Sequence, residues 1–209
     1  MLYKKSIDQS ALELLIQLQD KKYLNNFYLA GGTALALRLG HRKSVDIDLF
    51  SDFSFDAGSI LEHLSADFRF NLFFSAINTI KGSINEVQVD ILAHRYPLIG
   101  EPYSEGGISI LSTEDIIAMK LNAIATSGQR IKDFVDIYFL LEIYSIGQMI
   151  SFYKKKYTEY NEVLVLKSIT WFDDVIENDW PVILNQPGLK WEDVKRGIIA
   201  ATEMYLKQL

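Results

Sequence analysis

Apolar residues recur at helical spacing early in the chain, at Leu12, Leu15, Ile16 and Leu18, and predict an amphipathic helix over residues 6–24. Residues 27–30 form a short apolar run that stops at Gly31-Gly32 and reads as a strand. Residues 33–39 predict a short helix closed by Gly40. Between Val45 and Phe50 the period changes to two. Val45, Ile47 and Leu49 fall on one side and Asp46, Asp48 and Phe50 on the other, the signature of a strand. A helix is expected over residues 55–64. Two long β-like runs follow, residues 68–80 and 84–93, joined through Lys81-Gly82-Ser83. In the second run Val87, Val89 and Ile91 share one face, and Gln88, Asp90 and Leu92 the other.

The pattern then changes character. After a loop with Pro97, Gly100, Pro102 and Gly106-Gly107, residues 108–111 allow one more short strand. From Ser112 onward the periodicity is helical, with Ser112 and Asp115 as an N-cap pair. Helices are predicted over residues 113–126, 132–144, 146–157, 159–177 and 191–206. Pro181 and Pro187 break the last two apart. The expected fold class is α+β: a mixed-sheet domain with flanking helices over residues 1–111, then a helical bundle over residues 112–209.

Composition narrows the setting. Of 209 residues, 49% are hydrophobic and 23% charged, an ordinary globular balance able to bury a core. Cysteine is absent, which removes disulfides and thiolate metal sites. The start, MLYKKS, does not read as a secretory signal, and no apolar run is long enough to cross a bilayer. A soluble cytoplasmic protein without a membrane partner is expected. The net charge of −6 makes generic nucleic-acid binding unfavourable, so a nucleic-acid substrate would need a local basic patch. Three candidates are His41-Arg42-Lys43, His94-Arg95 and Lys154-Lys155-Lys156; such a cluster is more often a solvated surface feature than a binding site. Trp171, Trp180 and Trp191 suit an interface, although core packing is the commoner use.

Three aspartates carry the candidate chemistry. Asp46 and Asp48 share a strand face, and Asp90 sits at a polar position of another strand. If those strands are neighbours, three carboxylates converge, and a divalent cation relieves their repulsion. An all-oxygen ligand set favours magnesium or manganese. Such ions can clamp the attacking and leaving oxygens of a phosphoryl or nucleotidyl transfer. A lone D-x-D would instead read as the solvent face of an amphipathic strand; aspartate is poorly suited to strands, and here two flank one isoleucine. Gly31-Gly32-Thr33 lies between a strand and a helix N-terminus, where backbone N–H groups and the helix dipole favour an anion. The same three residues also read as a tight turn with Thr33 as N-cap.

In the helical half, Lys120 is surrounded by Ile116, Ile117, Ala123 and Ile124 and therefore needs a partner. Asp133 and Asp136 are three apart on a helix that is apolar nearly all round. Lys120, Arg130, Lys132 or a ligand would compensate them. A structural ion-pair network tying two helices explains the same residues.

The stretch GGTALALRLGHRKSVDIDLF resembles the signature of the AbiEii/AbiGii-type nucleotidyltransferase toxins, within the DNA polymerase β-like nucleotidyltransferase superfamily. Gly31, Gly32 and Thr33 match its glycine turn, Asp46 and Asp48 its D-x-D, and Asp90 its third carboxylate. His41, Arg42 and Ser44 match the H-R-x-S before it, and AMKLNAIATSGQRIKDFVDIYFLLE matches a later helical motif. The resemblance implies a metal-dependent enzyme that moves a nucleoside monophosphate from an NTP to an acceptor hydroxyl. Asp46, Asp48 and Asp90 would hold Mg2+ or Mn2+, with Asp90 also orienting the attacking hydroxyl. Gly31, Gly32, Thr33, Arg42, Ser44, Lys120, Asp133 and Asp136 would make the nucleotide site, with Lys120 neutralising triphosphate charge. A tRNA 3′ end is the implied acceptor, and a cognate antitoxin the implied protein partner. Many relatives carry arginine in the turn near Ser127 and Gly128; here Arg130 stands nearby instead. Two rivals remain at this stage: the same chemistry on a small molecule or protein, and a non-catalytic nucleotide- or partner-binding module.

Overall fold

In the computed structural model, residues 1–159 and 161–208 are described. Seven strands form one mixed sheet in the order β3-β4-β5-β2-β1-β7-β6. They are β1 Tyr28–Leu29, β2 Ile47–Ser51, β3 Phe70–Ala76, β4 Thr79–Ile84, β5 Val87–Ala93, β6 Tyr103–Glu105 and β7 Ile108–Ile110. Strands β2 and β5 are parallel neighbours, as are β1 and β7; the other pairs are antiparallel. Helices α1 Gln9–Gln19, α2 Gly31–Leu39 and α3 Ala57–Asp67 accompany the sheet. The chain continues through α4 Thr113–Thr126, α5 Ile131–Leu140, α6 Ile146–Lys156, α7 Glu162–Ile169 and α8 Trp191–Leu206. The α+β class expected from the sequence is the one observed.

Period-two burial gives the sheet two different faces. Ile47, Leu49, Ile80, Ile84, Val89 and Ile91 lie on the back face and are at most 1% exposed. There α3 packs against β3 and β4, burying Ile60 and Leu64. The front face carries Asp48, Phe50, Lys81, Asp90 and Leu92, all only partly buried. A single apolar cluster runs from Leu2 through the sheet to Ile198, so both halves of the chain share one core. Among the described residues no helix is long and apolar enough to cross a membrane.

Several boundaries move. The helix expected over residues 6–24 is Gln9–Gln19 with short 3₁₀ turns on either side. Lys81-Gly82-Ser83 is not a turn but the middle of β4. The hairpin turns are at Ile77-Asn78 and Asn85-Glu86, where Asn78, Asn85 and Glu86 take positive φ. Gly82 is required for another reason: a Cβ there would overlap the Phe70 ring. Within residues 159–177 only Glu162–Ile169 is helical, and Tyr160 lies outside the described residues. The Ser112 cap is present, its hydroxyl accepting from the Asp115 N–H at 3.0 Å.

Candidate active site

The glycine turn and the D-x-D strand are bound together. The Ala30 N–H donates to the Asp48 carbonyl (2.8 Å), so the end of β1 is fixed to β2 where α2 begins. Gly31 has φ +66°, and a Cβ on it would overlap the Asp48 carboxylate oxygen. A Cβ on Gly32 would overlap the Arg42 guanidinium. Only residues without side chains let an acid and a base approach this backbone so closely. Thr33 is not the N-cap. Ala30 holds that position without a side-chain cap, and the buried Thr33 hydroxyl donates to the Asp46 carbonyl (2.5 Å), 2.8 Å from the Ser44 hydroxyl. Thr33 and Ser44 thus set the backbone of the D-x-D segment.

Asp48 and Asp90 are register partners on parallel β2 and β5. Burial first, and the neighbouring Asp90 second, push the Asp48 carboxyl up to about 6; Lys120 and Arg130 pull the other way. Asp90 meets Lys81, its register partner on β4, at 2.7 Å. Asp46 lies just before β2 and borders a second, smaller cavity. The three aspartates do not close into one cage: among the described residues no three His, Asp or Glu side chains are grouped so as to hold an ion. Asp48 is the shared member of two neighbouring arrangements. A cavity of about 610 Å³ carries Asp48, Asp90, Lys81 and Arg130, and one of about 230 Å³ carries Gly32, Thr33, Ser44, Asp46, Asp48 and Arg130.

Lys120, Asp133 and Asp136 turn toward each other. The buried Lys120 ammonium lies 2.5 Å from Asp133 Oδ1 and 2.8 Å from Asp136 Oδ2. Asp136 also accepts from Arg42 Nε (2.7 Å), Arg42 Nη2 (3.0 Å) and His41 Nε2 (2.8 Å). Burial alone would raise the Asp136 carboxyl; Arg42, Lys120 and His41 overcome it and hold the group well below the usual carboxylate range. Asp133 and Asp136 likewise raise Lys120 against its burial. The ion-pair network is therefore present, and it forms the wall behind Asp48. Arg42 braces Asp136, from α5, rather than Asp46 or Asp48. Arg130, with its side chain 64% exposed and 3.8 Å from Asp133, is the cation open to both cavities.

Each of the three basic clusters has at least one member drawn inward. His41 and Arg42 are buried in the network, and Lys156 is buried against Asp115 (2.6 Å) and the Pro97 carbonyl (3.1 Å). His94 bonds Tyr157 Oη at 3.0 Å, and burial followed by Lys156 lowers its pKa to about 4, so near neutral pH it is an uncharged ring. His94, Phe50, Leu92, Met119 and Tyr157 line the far wall of the large cavity. The sequence reading missed this wall and the placement of Lys81. The period-two pattern put Leu92 beside Asp90, but nothing local brought Tyr157 there from just past the end of α6.

The profile of the nucleotidyl transferase AbiEii toxin family, of type IV toxin–antitoxin systems, matches residues 13–110 and 86–202. The uncharacterized protein aq_aa25 of Aquifex aeolicus is 32% identical, over 97% of this chain and 98% of that protein. Among solved structures, MenT4, a nucleotidyltransferase toxin from Mycobacterium tuberculosis, superposes with a TM-score of 0.59 at 17% identity, over 93% of this chain and 82% of that one. JHP933 from Helicobacter pylori does so at 0.56 and 20%, over 98% and 95%. At these identities the likeness is one of fold.

Proposed function

Because the chain belongs to the AbiEii nucleotidyltransferase toxin family, we propose that the Asp48 cleft transfers the nucleoside monophosphate of an NTP to the hydroxyl of a tRNA 3′ end, in the cytoplasm and under the control of a cognate antitoxin. The contact between Gly31 and Asp48 carries this reading, because it sets a helix N-terminus against a carboxylate. The N–H groups of the first turn of α2 have no acceptor within the helix and suit the triphosphate. Arg130 supplies the cation open to it. Lys120, already bound to two carboxylates, acts by offsetting their charge in the wall behind Asp48.

The donor set fits a hard divalent ion. It is made of oxygen only, and Asp48 is a carboxyl raised by burial and by a neighbouring carboxylate, strain that a cation relieves. Asp48 and Asp90 would hold Mg2+ or Mn2+, and Asp46, across the smaller cavity from Asp48, would join them only by a shift of its side chain. When bound, the ion stabilises charge on the transferring phosphoryl group. The acceptor oxygen attacks the α-phosphorus, the bond from that phosphorus to the bridging oxygen of the β-phosphate breaks, and pyrophosphate leaves. Asp90 receives the acceptor's proton and passes it to solvent.

Incubation with each labelled NTP, magnesium and total tRNA tests the reading. Label should pass to tRNA with the wild type and not with Asp48→Ala. No transfer by the wild type, or equal transfer by both, overturns it.

A further inference from the structure

One row of residues crosses the front face of the sheet. Asp48 opposes Asp90, Asp90 opposes Lys81, and Lys81 opposes Phe74 on the edge strand β3. Directly opposed residues share a face, so all four project to the same side as the cleft. At about 4.8 Å per strand, Phe74 stands roughly 10 Å from Asp90. Phe74 is 54% exposed and the Lys81 side chain 44%. A polar row runs alongside, Asn71 opposite Ser83 and Ser83 opposite Gln88.

We propose that this open part of the front face binds the acceptor as an unpaired nucleic-acid strand. One base lies on Phe74, a backbone phosphate meets Lys81, and the terminal hydroxyl reaches Asp90. The inference rests on the nucleotidyltransferase reading and adds where the acceptor lies and in what form. An exposed aromatic ring beside a cation and hydrogen-bonding side chains, at the open edge of a sheet face, is how single strands are held. Lys81 has three N–H donors and uses one on Asp90, which leaves donors for a phosphate. A lone ring at a strand edge stacks a base only when that base is unpaired. The polar row and Lys81 disfavour a folded protein on the same surface, which would leave them dry and unmatched.

The test uses the full chain and a 5′-fluorescein oligoribonucleotide of about eight unpaired nucleotides with a free 3′ hydroxyl. Anisotropy gives its affinity at several salt concentrations, and calorimetry gives NTP binding with magnesium. Phe74→Ala should weaken the oligonucleotide about tenfold, while Phe74→Trp binds it at least as well as the wild type. Lys81→Ala should lower the salt slope by about 0.7, one phosphate on a single strand. Leu72→Ala, exposed on the back face of the same strand, should change nothing. NTP binding should equal the wild type in both Phe74 variants and in Leu72→Ala. Oligonucleotide binding by Phe74→Ala equal to wild type overturns the proposal. So does sedimentation showing a wild-type dimer that Phe74→Ala dissociates, since the edge is then covered by a second copy. Failure of the underlying reading looks different: the wild type then binds no NTP with magnesium, whatever stands at position 74.

Discussion

The Asp48 carboxylate occupies the space where a side chain on Gly31 would begin. Sixteen positions of the chain, among them the rest of α2, lie between these two residues, and the helix serves to return the strand to the turn. Gly32 meets Arg42 in the same way, and Arg42 carries the contact on to Asp136 in α5. The two glycines thus connect a strand end, a buried ion-pair network and the helical half at one place.

Gly31→Ala should damage both stability and transfer. A left-handed backbone costs an L-residue about 1–2 kcal/mol, and Gly31 has φ +66°. For a chain of this size that corresponds to a melting temperature lower by roughly 3–6 °C. The added methyl also displaces Asp48, so the transfer rate should fall at least tenfold. Thermal unfolding and the NTP assay, run side by side, check the pair of effects. A variant that keeps the wild-type rate would show that Asp48 tolerates displacement.

Much of this site was legible in the chain because its parts are local. Glycine pair, short helix and D-x-D lie within one stretch, and period-two alternation placed Asp48 and Asp90 on matching faces of two strands. Register across strands is not local. Lys81 beside Gly82 and Ser83 has the composition of a turn, and only the Phe70 ring over Gly82 explains a glycine inside β4. Burial is not local either. Arg42 and Lys156 read as members of basic surface clusters, yet each is drawn inward by an aspartate 94 or 41 positions away. Convergence of Asp46 on the other two aspartates was an inference from alternation, and Asp46 lies just outside the strand where alternation holds.

Asp136→Ala should be the most destabilising single change in the site. It leaves Arg42 and Lys120 buried without their shared partner, and breaking such a pair costs about 3–5 kcal/mol. The double variant Asp136→Leu with Lys120→Met removes one stranded charge and should recover part of that loss. Urea unfolding midpoints of the three proteins measure it. Equal midpoints for wild type and Asp136→Ala would mean that the network contributes little.

Stability should depend on pH in a direction set by Asp48. Its folded value of about 6 lies above the unfolded value near 3.9. Between these limits the folded state holds a proton that the unfolded chain has released, so stability declines as pH rises from about 4 to 6 and is level above. The full effect is up to about 3 kcal/mol. Asp136 acts in the opposite sense at lower pH: its depressed value makes stability fall as pH drops below the ordinary carboxylate range. Asp48→Asn should therefore unfold at higher urea than the wild type above pH 6 and lose the decline between 4 and 6. Parallel profiles for the two proteins would remove Asp48 as its source.

Magnesium with an NTP should reverse that penalty, since a cation replaces the proton that Asp48 otherwise retains. Ligand that binds only the folded state at a hundred times its dissociation constant adds about 2.7 kcal/mol. The wild type at pH 8 should show this as a higher melting temperature, abolished by chelation. Below about pH 6 the cation must displace a proton from Asp48, and its apparent affinity should fall toward tenfold for each pH unit. Asp48→Asn should show neither the shift at pH 8 nor the loss at low pH. Asp133→Asn, in the wall behind the cleft, should keep the pH dependence while starting from a lower melting temperature, because Lys120 loses one of its two carboxylates. A magnesium shift that persists unchanged in Asp48→Asn would place the ion elsewhere in the molecule.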